Sequence, residues 1–67
     1  MTTQITETVQ LLTVKEVAEM LRKTEASLRW MIHSGTAPKS GILGGRRMFR
    51  LSDVENYIEE AFSAADD

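Results

Sequence analysis

Apolar residues recur at helical spacing in three stretches of the chain. Positions i, i+3, i+4 and i+7 fall on one face of a helix, so each stretch predicts an amphipathic helix. The three helices are expected near residues 14–21, 25–34 and 53–62. Their apolar positions are, helix by helix, Val14, Val17, Ala18 and Leu21, then Leu28, Met31 and Ile32, then Val54, Tyr57, Ile58, Ala61 and Phe62.

Short polar signals indicate where these helices begin and end. Thr13-Val14-Lys15-Glu16 and Ser52-Asp53-Val54-Glu55 both have the S/T-x-x-E form of a capping box, in which two side chains satisfy free amide donors at a helix start. Thr24 can cap the second helix, and Ser34-Gly35 can end it. Because only Arg22 and Lys23 separate the first two helices, the spacing is that of a helix-turn-helix.

Between Lys39 and Leu51 the pattern changes to two short segments joined by Gly44-Gly45. A Gly-Gly pair accepts the positive φ angles of a two-residue turn, so this region is expected to form a β-hairpin, or wing. The predicted fold is therefore mainly α with a small β-hairpin, a winged helix-turn-helix. Its expected core consists of Leu12, Val17, Leu21, Leu28, Ile32, Phe49, Val54 and Ile58.

The length of 67 residues allows one compact core. We expect it in residues 11–62, with a flexible N-terminal arm at 1–10, where apolar residues are few, and an acidic tail at 63–67. Cysteine is absent and His33 is the single histidine, so no metal site, cofactor or catalytic constellation is predicted, and the protein is not expected to be an enzyme. Because no signal peptide or membrane-spanning run is visible, a cytoplasmic location is expected.

Charge is strongly segregated although the net charge is only −2. Residues 22–50 hold seven bases against one acid, which gives +6, whereas residues 51–67 hold six acids and no base, which gives −6. A basic middle segment next to an exposed helix favours a nucleic-acid partner. The acidic last segment of one copy can also attract the basic segment of the next, which predicts head-to-tail self-association on DNA, with Ala61 and Phe62 as further candidates for that contact or for contact with another protein.

If Leu28, Met31 and Ile32 face the core, the other side of the second helix is exposed and suits the major groove. Arginines of the wing suit phosphates or the minor groove. The predicted DNA-binding residues are Thr24, Glu25, Ala26, Ser27, Arg29, Trp30, His33, Lys39, Arg46, Arg47 and Arg50.

Each of these assignments has a structural alternative. Trp30 can be half-buried against the wing, and Arg29 and His33 merely solvated. Glu25 can serve the positive end of the helix dipole rather than accept a hydrogen bond from a cytosine. The wing arginines can form a charged edge that prevents aggregation.

Several segments together resemble the excisionase-type helix-turn-helix domains, which are similar to the DNA-binding domain of the larger MerR regulators. They are residues 11–21, Ser27-Leu28-Arg29-Trp30, residues 34–39, residues 44–50 and Ser52 to Ile58. The run Thr24-Glu25-Ala26-Ser27 is less basic than is usual in that family.

The resemblance implies a recombination directionality factor of a phage or mobile element, in the host bacterial cytoplasm. Such a protein binds and bends double-stranded DNA at attachment-site repeats so that an integrase excises rather than integrates. The alternatives are a small winged-helix transcriptional regulator and, in another class, a protein-interaction module.

Overall fold

The computed structural model describes the backbone of residues 9–65, and the side chains of residues 9–64. The elements follow in the order β1 (Leu11–Thr13), α1 (Val14–Met20), α2 (Glu25–Ser34), β2 (Gly41–Leu43), β3 (Arg46–Arg50) and α3 (Leu51–Ala65). Three helices thus accompany one three-stranded antiparallel sheet in the order β1-β3-β2. This is a winged helix-turn-helix fold, as the sequence predicted.

Helix α1 begins with the predicted capping box. The Thr13 hydroxyl accepts the Glu16 amide at 3.1 Å, and the Glu16 carboxylate accepts the Thr13 amide at 2.8 Å. At its other end Arg22 takes the left-handed conformation, with φ 61°, while the amide of Lys23 donates to the carbonyl of Ala18 at 2.8 Å. These bonds close the last turn, so that α2 can start after a short connection.

Helix α2 has the predicted bounds. The Thr24 hydroxyl accepts the Ser27 amide at 3.0 Å, and Gly35 ends the helix with φ 81°. Leu28 is completely buried, whereas Met31 and Ile32 are half-buried. Leu28 therefore packs in the core with residues of α1. Because this side of α2 is buried, the opposite side is left in solvent.

The predicted hairpin turns at Gly44 and Gly45, whose φ angles of 57° and 81° are both positive. The pairing register places Leu43 opposite Arg46 and Gly41 opposite Met48. Strand β1 was not predicted. It pairs with β3, with Leu12 opposite the buried Phe49. Three residues are too few for the alternation of a strand to stand out in a sequence.

Helix α3 begins two residues before the predicted position and ends three residues after it. The capping box predicted at Ser52 is wrong, because Ser52 lies inside the first turn of the helix. The Leu51 amide is instead satisfied by the Gln10 carbonyl at 2.9 Å, so the sheet leads directly into the helix. Gln10 belongs to the expected N-terminal arm, most of which (residues 1–8) lies outside the described residues.

The core joins the sheet to all three helices. Every predicted core position is buried or packed against the buried cluster, with Leu21, Ile32 and Ile58 in the second group. Val14 and Ala18 are buried as well. Phe49 is 1% exposed and lies on the strand that connects the wing to α3, so the wing is anchored in the same core that supports α2.

Candidate nucleic-acid interface

The solvent side of α2 carries most of the predicted contact residues. Ala26, Ser27, Arg29, Trp30 and His33 are all exposed, since Leu28 takes the opposite side of the helix into the core. Trp30 is 67% exposed, so it is not covered by the wing. Thr24 lies at the start of this surface, but its hydroxyl oxygen is engaged as the helix cap.

A groove of about 450 Å³ separates the first turn of α2 from the tip of the wing. We call it the helix-wing groove. Four basic side chains and one acidic side chain border it, which gives a locally positive surface next to the exposed side of α2. Its lining residues are Thr13, Val14, Lys15, Glu25, Arg29, Gly45, Arg46 and Arg47.

Glu25 and Arg29 form an ion pair across one turn of α2. Arg29 Nη2 donates a hydrogen bond to Glu25 Oε2 at 2.9 Å, and both side chains remain about half exposed. Exposed pairs of this kind contribute little stability, so an approaching anion or base edge can compete for the guanidinium. The position of Glu25 in the first turn also agrees with the helix-dipole alternative.

The wing arginines differ in how firmly they are held. Arg47 Nη1 donates to Ser40 Oγ at 2.6 Å and is half-buried, so its guanidinium is fixed beside the wing. Arg46 is exposed at the tip, next to the glycine turn. Arg46 is thus the wing residue with the freedom to follow a phosphate, while Arg47 presents a positioned charge.

Lys39 and Arg50 lie elsewhere. They border a second groove of about 430 Å³ on the solvent face of the sheet, which we call the sheet-face groove. Arg50 Nε donates to Asp53 Oδ2 at 2.8 Å at the start of α3. The structure therefore divides the predicted site between two surfaces. The full lining of the second groove is Val9, Leu11, Lys39, Ser40, Gly41, Leu43, Met48, Arg50 and Asp53.

Lys15 is a candidate that the sequence did not single out. It is exposed in the first turn of α1 and borders the helix-wing groove together with Glu25 and Arg29. In the sequence it is simply a polar position on an amphipathic helix. Only the packing of α1 against α2 and β3 brings it to the basic surface.

The comparison with protein families agrees with this geometry. The family described as "Helix-turn-helix domain" matches residues 11–61 of the 67, and the chain belongs to this family. The family is a DNA-binding one, and its members are typically not enzymes. No curated protein and no solved structure matches the chain significantly. Within residues 9–65, no helix is long and apolar enough to cross a membrane.

Proposed function

We propose that this protein recognises a specific sequence in double-stranded DNA with α2 and the wing, and that it serves as an excisionase in site-specific recombination. The observation that carries the DNA-binding part is the helix-wing groove, in which Arg29, Arg46 and Arg47 converge beside the solvent side of α2. Two elements that are apart in sequence thus present positive charge on one surface. A duplex backbone is the polyanion that such a surface fits.

Helix α2 is the recognition element. The major groove is about 12 Å wide and admits one helix, and residues near the helix N-terminus reach the base edges. Ser27 and Arg29 are exposed in that part of α2 and have hydrogen-bond donors for bases. Glu25 keeps Arg29 oriented until a base replaces it. Trp30 and His33 lie farther along the same exposed surface and contact the groove wall.

The wing and α1 are the backbone elements. Arg46 and Arg47, with Lys15 across the groove, bind phosphates or enter the adjacent minor groove, where arginine is favoured by the negative potential. Phosphate contacts add affinity for every sequence and make it dependent on salt. The residues that recognise bases, on α2, are therefore different from those that add affinity for any DNA, on the wing and α1.

The test of DNA binding is a titration of random duplex and of a selected site at several salt concentrations. Arg46→Ala should weaken binding to both DNAs and lower the slope of log affinity against log salt by about 0.9, because one phosphate contact is lost. Arg50→Ala is the matched control, since Arg50 lies on the other groove and pairs with Asp53. A protein that binds no duplex at low salt would be a protein-interaction module instead.

The excisionase part of the proposal is supported by the resemblance of the segments from Leu11 to Ile58 to excisionase-type domains. The partners are attachment-site DNA and a phage integrase, and bending of the DNA is the mechanical step. Recombination assays with the integrase of the same phage or mobile element should show excision only when the protein is added. If excision is unaffected while transcription from a bound promoter changes, the protein is a winged-helix regulator.

Copies on adjacent sites are proposed to contact one another head to tail. In the described part of α3, Glu55, Glu59 and Glu60 are exposed and pair with no base, and they can face the basic segment of the neighbouring copy. Changing all three residues to Gln should reduce cooperativity on multi-site DNA and leave single-site affinity unchanged. Equal affinity per site on one-site and multi-site DNA, in the unchanged protein, would contradict this contact.

A further inference from the structure

The sheet-face groove has the composition of a protein-binding surface rather than of a DNA-binding one. Its walls are formed by Val9, Leu11, Leu43 and Met48, and the first three side chains are 63%, 42% and 54% exposed. The strand register explains this, because Leu11, Leu43 and Met48 alternate with Leu12, Ile42 and Phe49, which lie on the other face of the sheet. A contiguous apolar patch on a small protein marks a contact site.

The rim of this groove is basic. Lys39 and Arg50 both border it, and Arg50 Nε donates to Asp53 Oδ2. The occupant that fits is therefore an apolar side chain that is accompanied by acidic residues. The lining shares no residue with the helix-wing groove, so both surfaces can be occupied at the same time.

The end of α3 has these properties. Phe62 is 72% exposed, the most exposed large hydrophobic side chain in the described residues, so it does not cover the core. Glu59 and Glu55 precede it by three and seven positions, on the same side of the helix, and are exposed as well. An exposed phenylalanine beside two glutamates is complementary to an apolar groove that is bordered by a lysine and an arginine.

We propose that the sheet-face groove binds the end of α3 of a second copy, with Phe62 inserted between Leu11, Leu43 and Met48. Glu59 and Glu55, on the Phe62 side of the helix, then face Lys39 and Arg50 of the receiving copy. Because the donor and the acceptor are different surfaces of one molecule, the contact is heterologous and every copy can both donate and receive. This contact locates the self-association proposed above, but it does not require DNA, so its failure would leave the DNA-binding proposal standing.

The heterologous geometry allows the two roles to be separated in different variants. Phe62→Ser removes the side chain that is inserted and leaves the groove unchanged. Leu43→Glu places a charge in the groove, which should prevent insertion, and keeps Phe62. Neither variant should self-associate, yet the two should bind each other. The measurement is an NMR titration without DNA, in which ¹⁵N-labelled Phe62→Ser receives unlabelled Leu43→Glu. We expect saturable shifts of the amides of Leu11, Leu43 and Met48, with the helix-wing groove unmoved.

Matched controls separate insertion of Phe62 from general stickiness. Labelled Phe62→Ser/Ile42→Glu should respond like the single variant, because Ile42 neighbours Leu43 and is 58% exposed but lies on the other face of the sheet. Labelled Phe62→Ser/Leu43→Glu should not respond. A titrant that lacks both Phe62 and Leu43 should bind about tenfold more weakly or worse. Glu55→Gln/Glu59→Gln in the titrant should weaken binding and reduce its dependence on salt.

Two results would overturn the proposal. The first is that the Leu43→Glu titrant fails to shift the groove amides specifically: it either causes no shifts or causes the same shifts as a titrant that lacks Phe62. The second is that the groove amides respond to the chain's own N-terminal residues. If Ile5→Ser shifts the groove amides of the labelled protein by itself, and the titrant adds nothing, the occupant is that segment and not a second copy. The spectra also report whether each variant is folded.

Discussion

The helix-wing groove and the sheet-face groove have nearly equal volumes, about 450 and 430 Å³, but the first is lined mainly by charged side chains and the second mainly by apolar ones. The first is lined by four bases and one acid, and the second by apolar side chains with charges only at its rim. Strand β3 contributes to both, with Arg46 and Arg47 in one and Met48 in the other. One hairpin thus serves two surfaces: Met48 and Arg50 lie on one face of β3 and Arg47 on the other, while Arg46 borders the helix-wing groove from the turn at the tip.

The difference indicates two kinds of partner. A polar, positively charged groove beside an exposed helix gains affinity by releasing counterions from a polyanion. An apolar groove gains affinity by removing hydrocarbon from water, and salt affects it mainly through the charges at its rim. Changes in one groove should therefore leave the function of the other intact, whereas changes in the core that supports both grooves should remove both functions.

The largest effect is expected for the common support. Leu28→Ala empties a site that is 0% exposed and should destabilise the protein by about 2–5 kcal/mol, which approaches the whole stability of so small a domain. Urea unfolding measures it, and DNA binding and self-association should be lost together. Met20→Ala, at a side chain that is 40% exposed, is the control and should cost much less. A Leu28→Ala protein that unfolds like the parent would contradict the described register of α2.

Next in size is the loss of base recognition in the helix-wing groove. Arg29→Ala should weaken binding to the selected DNA site by about 1–3 kcal/mol and affect random duplex much less, because a base contact is lost. Glu25→Gln keeps Arg29 but removes its partner, so it should raise affinity for random duplex and lower discrimination. Competition binding on both DNAs measures these effects. Equal losses on both DNAs for Arg29→Ala would make Arg29 a phosphate contact.

The two grooves also contain a matched pair of glycines. Gly45 borders the helix-wing groove and has φ 81°, whereas Gly41 borders the sheet-face groove and has no positive φ. Gly45→Ala should cost about 1–2 kcal/mol, because a Cβ is strained in the left-handed region. Gly41→Ala should cost little, since an added Cβ would meet nothing within 4 Å. Thermal unfolding of both variants tests this, and equal stability would contradict the turn geometry.

The smallest effect is expected at Arg22, which belongs to neither groove. It has φ 61° without being glycine, in the turn that closes α1. Arg22→Gly should be more stable than Arg22→Ala by up to about 1 kcal/mol, because both remove the charge and only glycine relieves the backbone. The groove contacts of both variants should stay as in the parent. A more stable Arg22→Ala would mean that the turn does not hold this conformation in solution.

The elements that the sequence predicted well are those with a strong local signal. Helices α1 and α2 have periodic apolar positions and side-chain caps, and the wing has a Gly-Gly turn. The sequence missed β1 and misplaced the start of α3. In both places the decisive hydrogen bonds join residues that are far apart in the chain, since β1 pairs with β3 and Leu51 donates to Gln10.

For the candidate site, the sequence established the types of residue and the tertiary structure established their grouping. Helical spacing alone put Arg29 and Trp30 on the exposed side of α2, because the side that carries Leu28 must be buried. It did not show that Lys15 would join them, or that Arg50 would leave them for the sheet-face groove, since these placements depend on how α1 and α3 pack on β3. Periodicity acts over one or two turns of chain, whereas a groove is formed by segments that only the folded core brings together.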